Sequence, residues 1–227
     1  MINLALYSDQ IIPANAVIDQ RLLALMAHKN LGNRIGYIPS GPEPTRQFFH
    51  ERKAYYARYD LDLCHFHETD EGENGAAIDA LFACDAIHLA GGHTRGYLER
   101  LKSNDLAAPL RSWALEGGLL IGTSAGAILM TPTIATDALF SNNRPEDVRD
   151  GDALDLLPFE FFPHLNANSS YREELVRYSR ITQRPIIACN DGDGLVVTDG
   201  VVETIGAAVW IGAGTSRDLA PGPIMKV

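Results

Sequence analysis

The sequence predicts an α/β protein with a mostly parallel sheet, helices on both faces and a C-terminal β-hairpin. Short apolar runs alternate with helix-favouring stretches through the first half of the chain, the pattern of a sheet covered on both sides. An Asp-Gly pair between two β-rich runs marks the hairpin. At 227 residues the chain can bury a sizeable core, and without a repeat or linker it reads as one domain spanning 1–227.

The elements follow in order. Residues 3–8 (NLALYS) read as a buried strand and 14–29 as a helix. Residues 34–39 (RIGYIP) form a second strand, ended by Ser40-Gly41-Pro42. A helix over about 44–58 follows, with Pro44 in its first turn, where a missing N–H costs little. Further strands are expected at 62–67, 85–90 and 118–122, with helices near 76–83 and 94–116. A helix starts at Ser124, and residues 131–163, with Pro132, Asn142, Asn143, Pro145 and Pro158, read as a loop-rich region. A charged helix near 169–181 precedes a strand at 186–190. LVVT-Asp199-Gly200-VVET is the hairpin, and AAVWIGAG is a last strand.

Composition narrows the function. A net charge of −10 argues against nucleic acid or an anionic membrane as partner, since either would want clustered Lys and Arg. The N-terminus lacks the basic and long apolar regions of a signal peptide, and no apolar run approaches the roughly 18 residues of a membrane span. Cys64, Cys84 and Cys189 are odd in number and lack CxxC spacing, so they read as reduced thiols. The expected location is the cytoplasm.

The strongest local signal is Leu119-Leu120-Ile121-Gly122-Thr123-Ser124-Ala125-Gly126-Ala127, a buried strand running through G-x-S-x-G into a small-residue helix. A nucleophile elbow needs this composition, because the turn is sharp and the flanking positions must be small. Ser124 is the candidate nucleophile, and the Ala125 N–H at the helix start can face a developing oxyanion. Ala90-Gly91-Gly92-His93-Thr94 ends the preceding strand, and its glycines can bring a second N–H close, with Gly92 the candidate and His93 beside the pocket.

A serine nucleophile needs a base, and the base needs an acceptor to orient it. Among seven histidines, His28 and His50 lie in helical stretches and read as solvated, while His88 sits inside a strand and reads as a packed neutral imidazole. His164, in Phe162-Pro163-His164-Leu165, ranks first as base, because Pro163 restricts the direction from which the chain enters it. Two acids compete for the third place. Asp191 follows the strand IIACN at its carboxyl end, and Asp137 lies between the serine and the histidine. Ser…Asp…His is the order of an α/β-hydrolase, and Ser…His…Asp is not, so the choice bears on the fold family.

Taken together these residues resemble peptidase E, the serine aspartyl dipeptidase family related in fold to class I glutamine amidotransferases, a flavodoxin-like architecture. The likeness runs over nearly the whole chain. It is most telling from Gly122-Thr123-Ser124-Ala125-Gly126-Ala127 through Pro132-Thr133-Ile134, in Asp152-Ala153-Leu154-Asp155-Leu156-Leu157-Pro158, and at Pro163-His164. The resemblance implies Asp191 as the acid, in Asn190-Asp191-Gly192, where the family has Pro-Glu-Gly. It also implies Arg172 as a fork for an acidic substrate side chain, and Thr94 and Asp137 as secondary site residues. Two departures stand out: His93 replaces the Asn of Gly-Gly-Asn-Thr, and Thr123 replaces an enterobacterial Trp, a form shared with cyanophycinases.

The expected activity is therefore hydrolysis of short peptides, favouring dipeptides with an N-terminal Asp, through a Ser124-His164-Asp191 triad and without a cofactor. The substrate is a small peptide, and the protein is a monomer or homodimer. A cyanophycinase-like or isoaspartyl peptidase shares the triad and is the alternative, as is a non-catalytic amidotransferase-like binding domain. His65 and His67 share a strand face and could ligate zinc, but no third ligand is evident, and no metal is expected.

Overall fold

The computed structural model describes residues 1–68 and 75–227. The chain opens with β1 (Asn3–Tyr7), α1 (Ala16–His28), β2 (Arg34–Ile38), α2 (Gln47–Ala57), β3 (Asp62–Phe66) and α3 (Gly75–Phe82). Next come β4 (Ala86–Leu89), α4 (Thr94–Ser103), α5 (Ala107–Leu115), β5 (Leu119–Thr123) and the short α6 (Ala125–Ile128). Two 3-10 segments, Ala135–Ser141 and Pro145–Asp147, lead to β6 (Glu160–Phe162), a third at Leu165–Ala167, and α7 (Tyr171–Tyr178). The chain closes with β7 (Ile186–Cys189), β8 (Gly194–Thr198), β9 (Val201–Ile205), β10 (Ala208–Gly212), β11 (Thr215–Leu219) and β12 (Gly222–Lys226).

The larger sheet has the order β12-β9-β8-β1-β5-β4-β2-β3. Its β1, β5, β4, β2 and β3 are parallel, and β8, β9 and β12 add antiparallel strands at one edge. Alternation along β1 separates the two faces: Leu4 and Leu6 pack with residues of α3, α4 and α5, while Ala5 and Tyr7 pack with residues of α1 and α2. Helix α1 buries Ile18, Leu22, Leu25 and Met26, one apolar stripe at helical spacing. The smaller sheet, β11-β10-β7-β6, turns Phe161, Ile187 and Cys189 into the main core and Phe162, Ile186 and Ala188 toward α7.

The fold differs from the sequence reading at four places. The helix expected over 44–58 starts at Gln47, because Arg46 takes a left-handed φ of 51° and leaves Pro44 outside. The helix expected over 94–116 is two helices. Asp105 adopts φ 51°, Leu106 N–H donates to the Leu101 carbonyl and Asp105 N–H to that of Lys102, a Schellman stop without its usual glycine. The 131–163 loop carries β6 and two 3-10 segments. AAVWIGAG is not the last strand, since β11 and β12 follow. The Asp199-Gly200 hairpin is as read, with φ of 52° and 74° at the two turn residues.

Behind β1 the buried carboxylate of Asp19 accepts hydrogen bonds from the hydroxyls of Tyr7 (2.9 Å), Tyr55 (2.7 Å) and Tyr59 (2.7 Å), tying α1 to α2. Removing the acceptor strands three hydroxyls where burial makes an unmet donor expensive. Asp19→Ala is expected to lower the unfolding free energy by about 3 kcal/mol and Tyr59→Phe by about 1 kcal/mol, read from urea denaturation midpoints.

Candidate active site

Strand β5 delivers Ser124 at the carboxyl edge of the larger sheet with φ 50° and ψ −108°, a conformation that costs an L-residue free energy. Neighbouring contacts hold it there. Ser124 N–H donates to the Tyr7 carbonyl at 3.0 Å, and the Ser124 carbonyl accepts from Ala127 and Ile128, each at 3.0 Å. The two glycines of the motif are required by close approach: a Cβ on Gly126 would lie 2.1 Å from the Leu89 carbonyl oxygen, and one on Gly122 would lie 2.6 Å from Ala127 N.

Ser124 Oγ lies 2.8 Å from His164 Nε2, and His164 Nδ1 lies 2.5 Å from Asp191 Oδ1. The three side chains form an unbroken hydrogen-bonded line assembled from the ends of β5, β6 and β7. Asp137 stands elsewhere, accepting a hydrogen bond from Thr94 Oγ1 at 2.5 Å, with burial pushing its carboxyl pKa up. His164 takes a left-handed backbone, φ 56° and ψ 33°, and Phe140 meets its ring edge-on at 5.8 Å.

Three site residues escaped the sequence reading. Fully buried Ser8 uses its hydroxyl twice: it accepts the His164 N–H at 2.7 Å and donates to the Cys189 carbonyl at 3.2 Å. Asn166 Oδ1 accepts the Asp191 N–H at 2.9 Å, fixing the acid's turn. Asp9 brings a second carboxylate to within 4.8 Å of His164 and Asp191. Position at the carboxyl end of a strand was the one available signal for Ser8 and Asp9, and only the pairing of β1 with β5 gives it meaning.

Gly91 lies against the elbow, where a Cβ would come within 3.7 Å of the Ser124 Cβ. Gly92 has φ 144°, and a Cβ there would lie 2.1 Å from Ser40 Oγ. His93 caps α4, its Nδ1 accepting the Gly96 N–H at 3.0 Å. The ring nitrogen left over is then the donor, and His93 lines a cavity of about 480 Å³. Arg172, in α7, is held by β11: Nε donates to Ser216 Oγ at 3.1 Å and its guanidinium pairs with Asp218 at 2.9 Å.

Asp9, His164 and Asp191 are the one group of three among the described residues with metal-ligand spacing. Both His164 nitrogens are engaged, by Ser124 and by Asp191, which favours proton transfer over ligation. His65 and His67 lie side by side, with ring centroids 5.9 Å apart, and burial lowers both pKa values. No third ligand joins them among the described residues. His88 is a buried imidazole held by Tyr56 Oη at 2.8 Å, with its pKa lowered by burial. The three cysteines are unpaired, and no helix of the described residues is long and apolar enough to cross a membrane.

Residues 6–205 match the family model of peptidase family S51. Peptidase E of Salmonella typhimurium (strain LT2) is 30% identical over 190 residues, 82% of this chain and 79% of that protein. Peptidase E of Salmonella arizonae is 30% identical over 189 residues with the same shares covered. Among solved structures, a peptidase from an acI-B1 Actinobacterium superposes with TM-score 0.74 at 15% identity, covering all of this chain and 98% of that one. A peptidase E candidate from Listeria monocytogenes EGD-e gives 0.71 at 23%, covering 90% and 98%. These two structures share the fold.

Ser8 generates a prediction about reactivity. In Ser8→Ala the His164 backbone loses its acceptor, and misplacement by about 1 Å can cost 10²-fold. The second-order rate of Ser124 labelling by a fluorophosphonate is expected to fall about 10- to 100-fold, with the circular dichroism spectrum unchanged. An unaltered labelling rate would show that the backbone holds His164 without the hydroxyl.

Proposed function

The chain belongs to peptidase family S51 and is a serine-type peptidase, and from that premise we propose that it cleaves dipeptides with an N-terminal aspartate through an acyl-enzyme on Ser124. The observation that carries the reading is the line Ser124 Oγ–His164–Asp191, with links of 2.8 and 2.5 Å.

Each proposed step uses one of these groups. Ser124 Oγ attacks the scissile carbonyl carbon while His164 Nε2 takes its proton. Asp191 holds the Nδ1–H tautomer and stabilises the imidazolium that forms. The carbonyl oxygen becomes an oxyanion facing the N–H groups of Gly92 and Ala125. Among the described residues neither N–H has a protein acceptor, which supports this role. His164 then protonates the leaving amine, and a water activated by His164 releases the acyl group from Ser124.

Recognition of the acidic side chain falls to Arg172. Its partner Asp218 is 78% exposed, so that ion pair is worth little and a substrate carboxylate can take its place in the fork. The names of the 30%-identical relatives, peptidase E, support a peptide substrate. The reading carries with it a single catalytic unit over 1–227, acting as a monomer or homodimer in the cytoplasm on small peptides, with no nucleic-acid partner.

Steady-state hydrolysis of Asp-Leu, its β-aspartyl isomer and Ala-Leu tests the reading. Asp-Leu is expected to be the best substrate, and Ser124→Ala to lose at least about 10⁴-fold in kcat. Arg172→Ala is expected to cost about 10- to 100-fold in kcat/KM on Asp-Leu and little on Ala-Leu, the loss of a charge-assisted fork. Preferential cleavage of the β-isomer would move the assignment to the isoaspartyl class.

A further inference from the structure

Two of the three thiols stand side by side. Cys64 Sγ, on β3, lies 4.0 Å from Cys84 Sγ, in the corner between α3 and β4. Each sulfur is otherwise weakly held: Cys64 donates to the Ile35 carbonyl at 3.7 Å and Cys84 to that of Ala80 at 3.4 Å. A disulfide needs about 2 Å between its sulfurs, so the remaining gap is one that side-chain rotation can close.

The backbone brings the pair together from both sides of β2. Ile35 pairs with Leu63 and Gly36 with His65, so the register passes over Cys64, which sits at a bulge. Leu63 and Phe66 pack toward α1 and α2. Cys64 turns to the opposite face of the sheet, where it meets Cys84. Gly36 leaves the surface of β2 bare at that point. A Cβ on it would stand 2.7 Å from Leu81 Cδ1 and 3.5 Å from Cys84 Sγ.

The two sulfurs differ in access and in chemistry. Cys64 is half-buried, and Cys84 is buried. The exposed guanidinium of Arg34 adjoins Cys64, whose hydrogen bond and charge raise the arginine's pKa. A thiolate formed at Cys64 therefore has a cation beside it, and the thiolate is the form that reacts with an oxidant. Burial pushes the Cys84 thiol pKa up. Cys189 is fully buried, and burial raises its pKa as well. An oxidant arriving from solvent meets Cys64 first.

We propose that Cys64 is a site of oxidation by peroxide and that Cys84 resolves the product into a Cys64–Cys84 disulfide. In the first step the Cys64 thiolate attacks one oxygen of hydrogen peroxide. The S–O bond forms, the O–O bond breaks, and the hydroxide released takes up the proton that Cys64 had lost. In the second step the Cys84 sulfur attacks the Cys64 sulfenic acid. The S–S bond forms, the S–O bond breaks, and hydroxide leaves with the Cys84 proton as water. Two thiols are oxidised by two electrons in all, and one peroxide is reduced to two waters. The crosslink ties β3, at the edge of the larger sheet, across β2 to the corner that leads into β4.

The test treats the full chain with hydrogen peroxide, then alkylates it in denaturant and maps the peptides by mass. Wild type is expected to lose two of its three alkylatable thiols, keep Cys189, weigh less by two hydrogens and recover all three thiols with dithiothreitol. Cys84→Ser is expected to stop at a Cys64 sulfenic acid that dimedone traps. Cys64→Ser is expected to leave Cys84 and Cys189 reduced. Circular dichroism checks that each variant is folded, and if either is not, the wild-type peptide map decides alone. Three thiols surviving in wild type under peroxide that oxidises free glutathione would overturn the proposal. So would a disulfide joining two chains in place of Cys64–Cys84, or a dimedone adduct on wild type as the end product. Oxidation of Cys84 in Cys64→Ser at the wild-type rate would overturn the assignment of Cys64 as the residue attacked first.

Discussion

One buried hydroxyl joins the two sheets between which the site is divided. Ser8 stands at the end of β1, beside the strand that carries Ser124, and bonds both to His164 after β6 and to the carbonyl of Cys189, two residues before Asp191. The larger sheet supplies Ser124, and the smaller sheet supplies His164 and Asp191. Their relative placement must hold to a few tenths of an ångström for a 2.8 Å hydrogen bond to survive. The Ser8 N–H extends the same clamp, donating to the Asp193 carbonyl at 3.0 Å. Hydrophobic packing brings the sheets together, but it is non-directional, and a hydroxyl that both donates and accepts sets the register.

Two residues of the site sit in left-handed conformations, Ser124 at φ 50° and His164 at φ 56°. Neither is glycine, so each conformation costs free energy that the surroundings must hold in place. At Ser124 the Tyr7 carbonyl and the first turn of α6 do so, and at His164 the Ser8 hydroxyl and the Phe140 ring. Such strain aims each side chain out of the line its strand would have given it, so Oγ and Nε2 meet above the sheet edge. Gly122 and Gly126 serve the same end from the opposite direction, by removing the Cβ atoms that would keep β5, α6 and β4 apart.

Much of this was legible in the sequence because it is local. The apolar runs of β1, β4 and β5, the Asp199-Gly200 turn and the G-x-S-x-G junction each carry their cause within a few residues. What escaped depends on distant partners. The break at Asp105 uses a left-handed aspartate where glycine was the expected signal, and β11 reads TSRDL, too polar to stand out, because it forms an edge of the smaller sheet. Ser8 and Asp9 look like any loop start after a strand until β1 is known to lie beside β5. For the acid, chain order left Asp137 and Asp191 both open, and the fold separates them: one bonds Thr94 and the other bonds His164.

The contact between Asp191 and His164 depends on the same kind of support. Aspartate reaches one methylene less far than glutamate, so the turn that bears it must come closer to the imidazole. Asn166, two residues after His164, draws the Asp191 N–H to itself at 2.9 Å, and so pulls the Asn190-Asp191-Gly192 turn toward the histidine's own loop. The Cys189–Ser8–His164 bridge fixes the base of that turn from below. Between these two anchors the Asp191 carboxylate meets Nδ1 at 2.5 Å. The residues that anchor this turn, Ser8 and Asn166, lie far from position 191 in sequence. The placement of the Asp191 carboxylate is therefore a property of its supporting hydrogen bonds as much as of the residue itself.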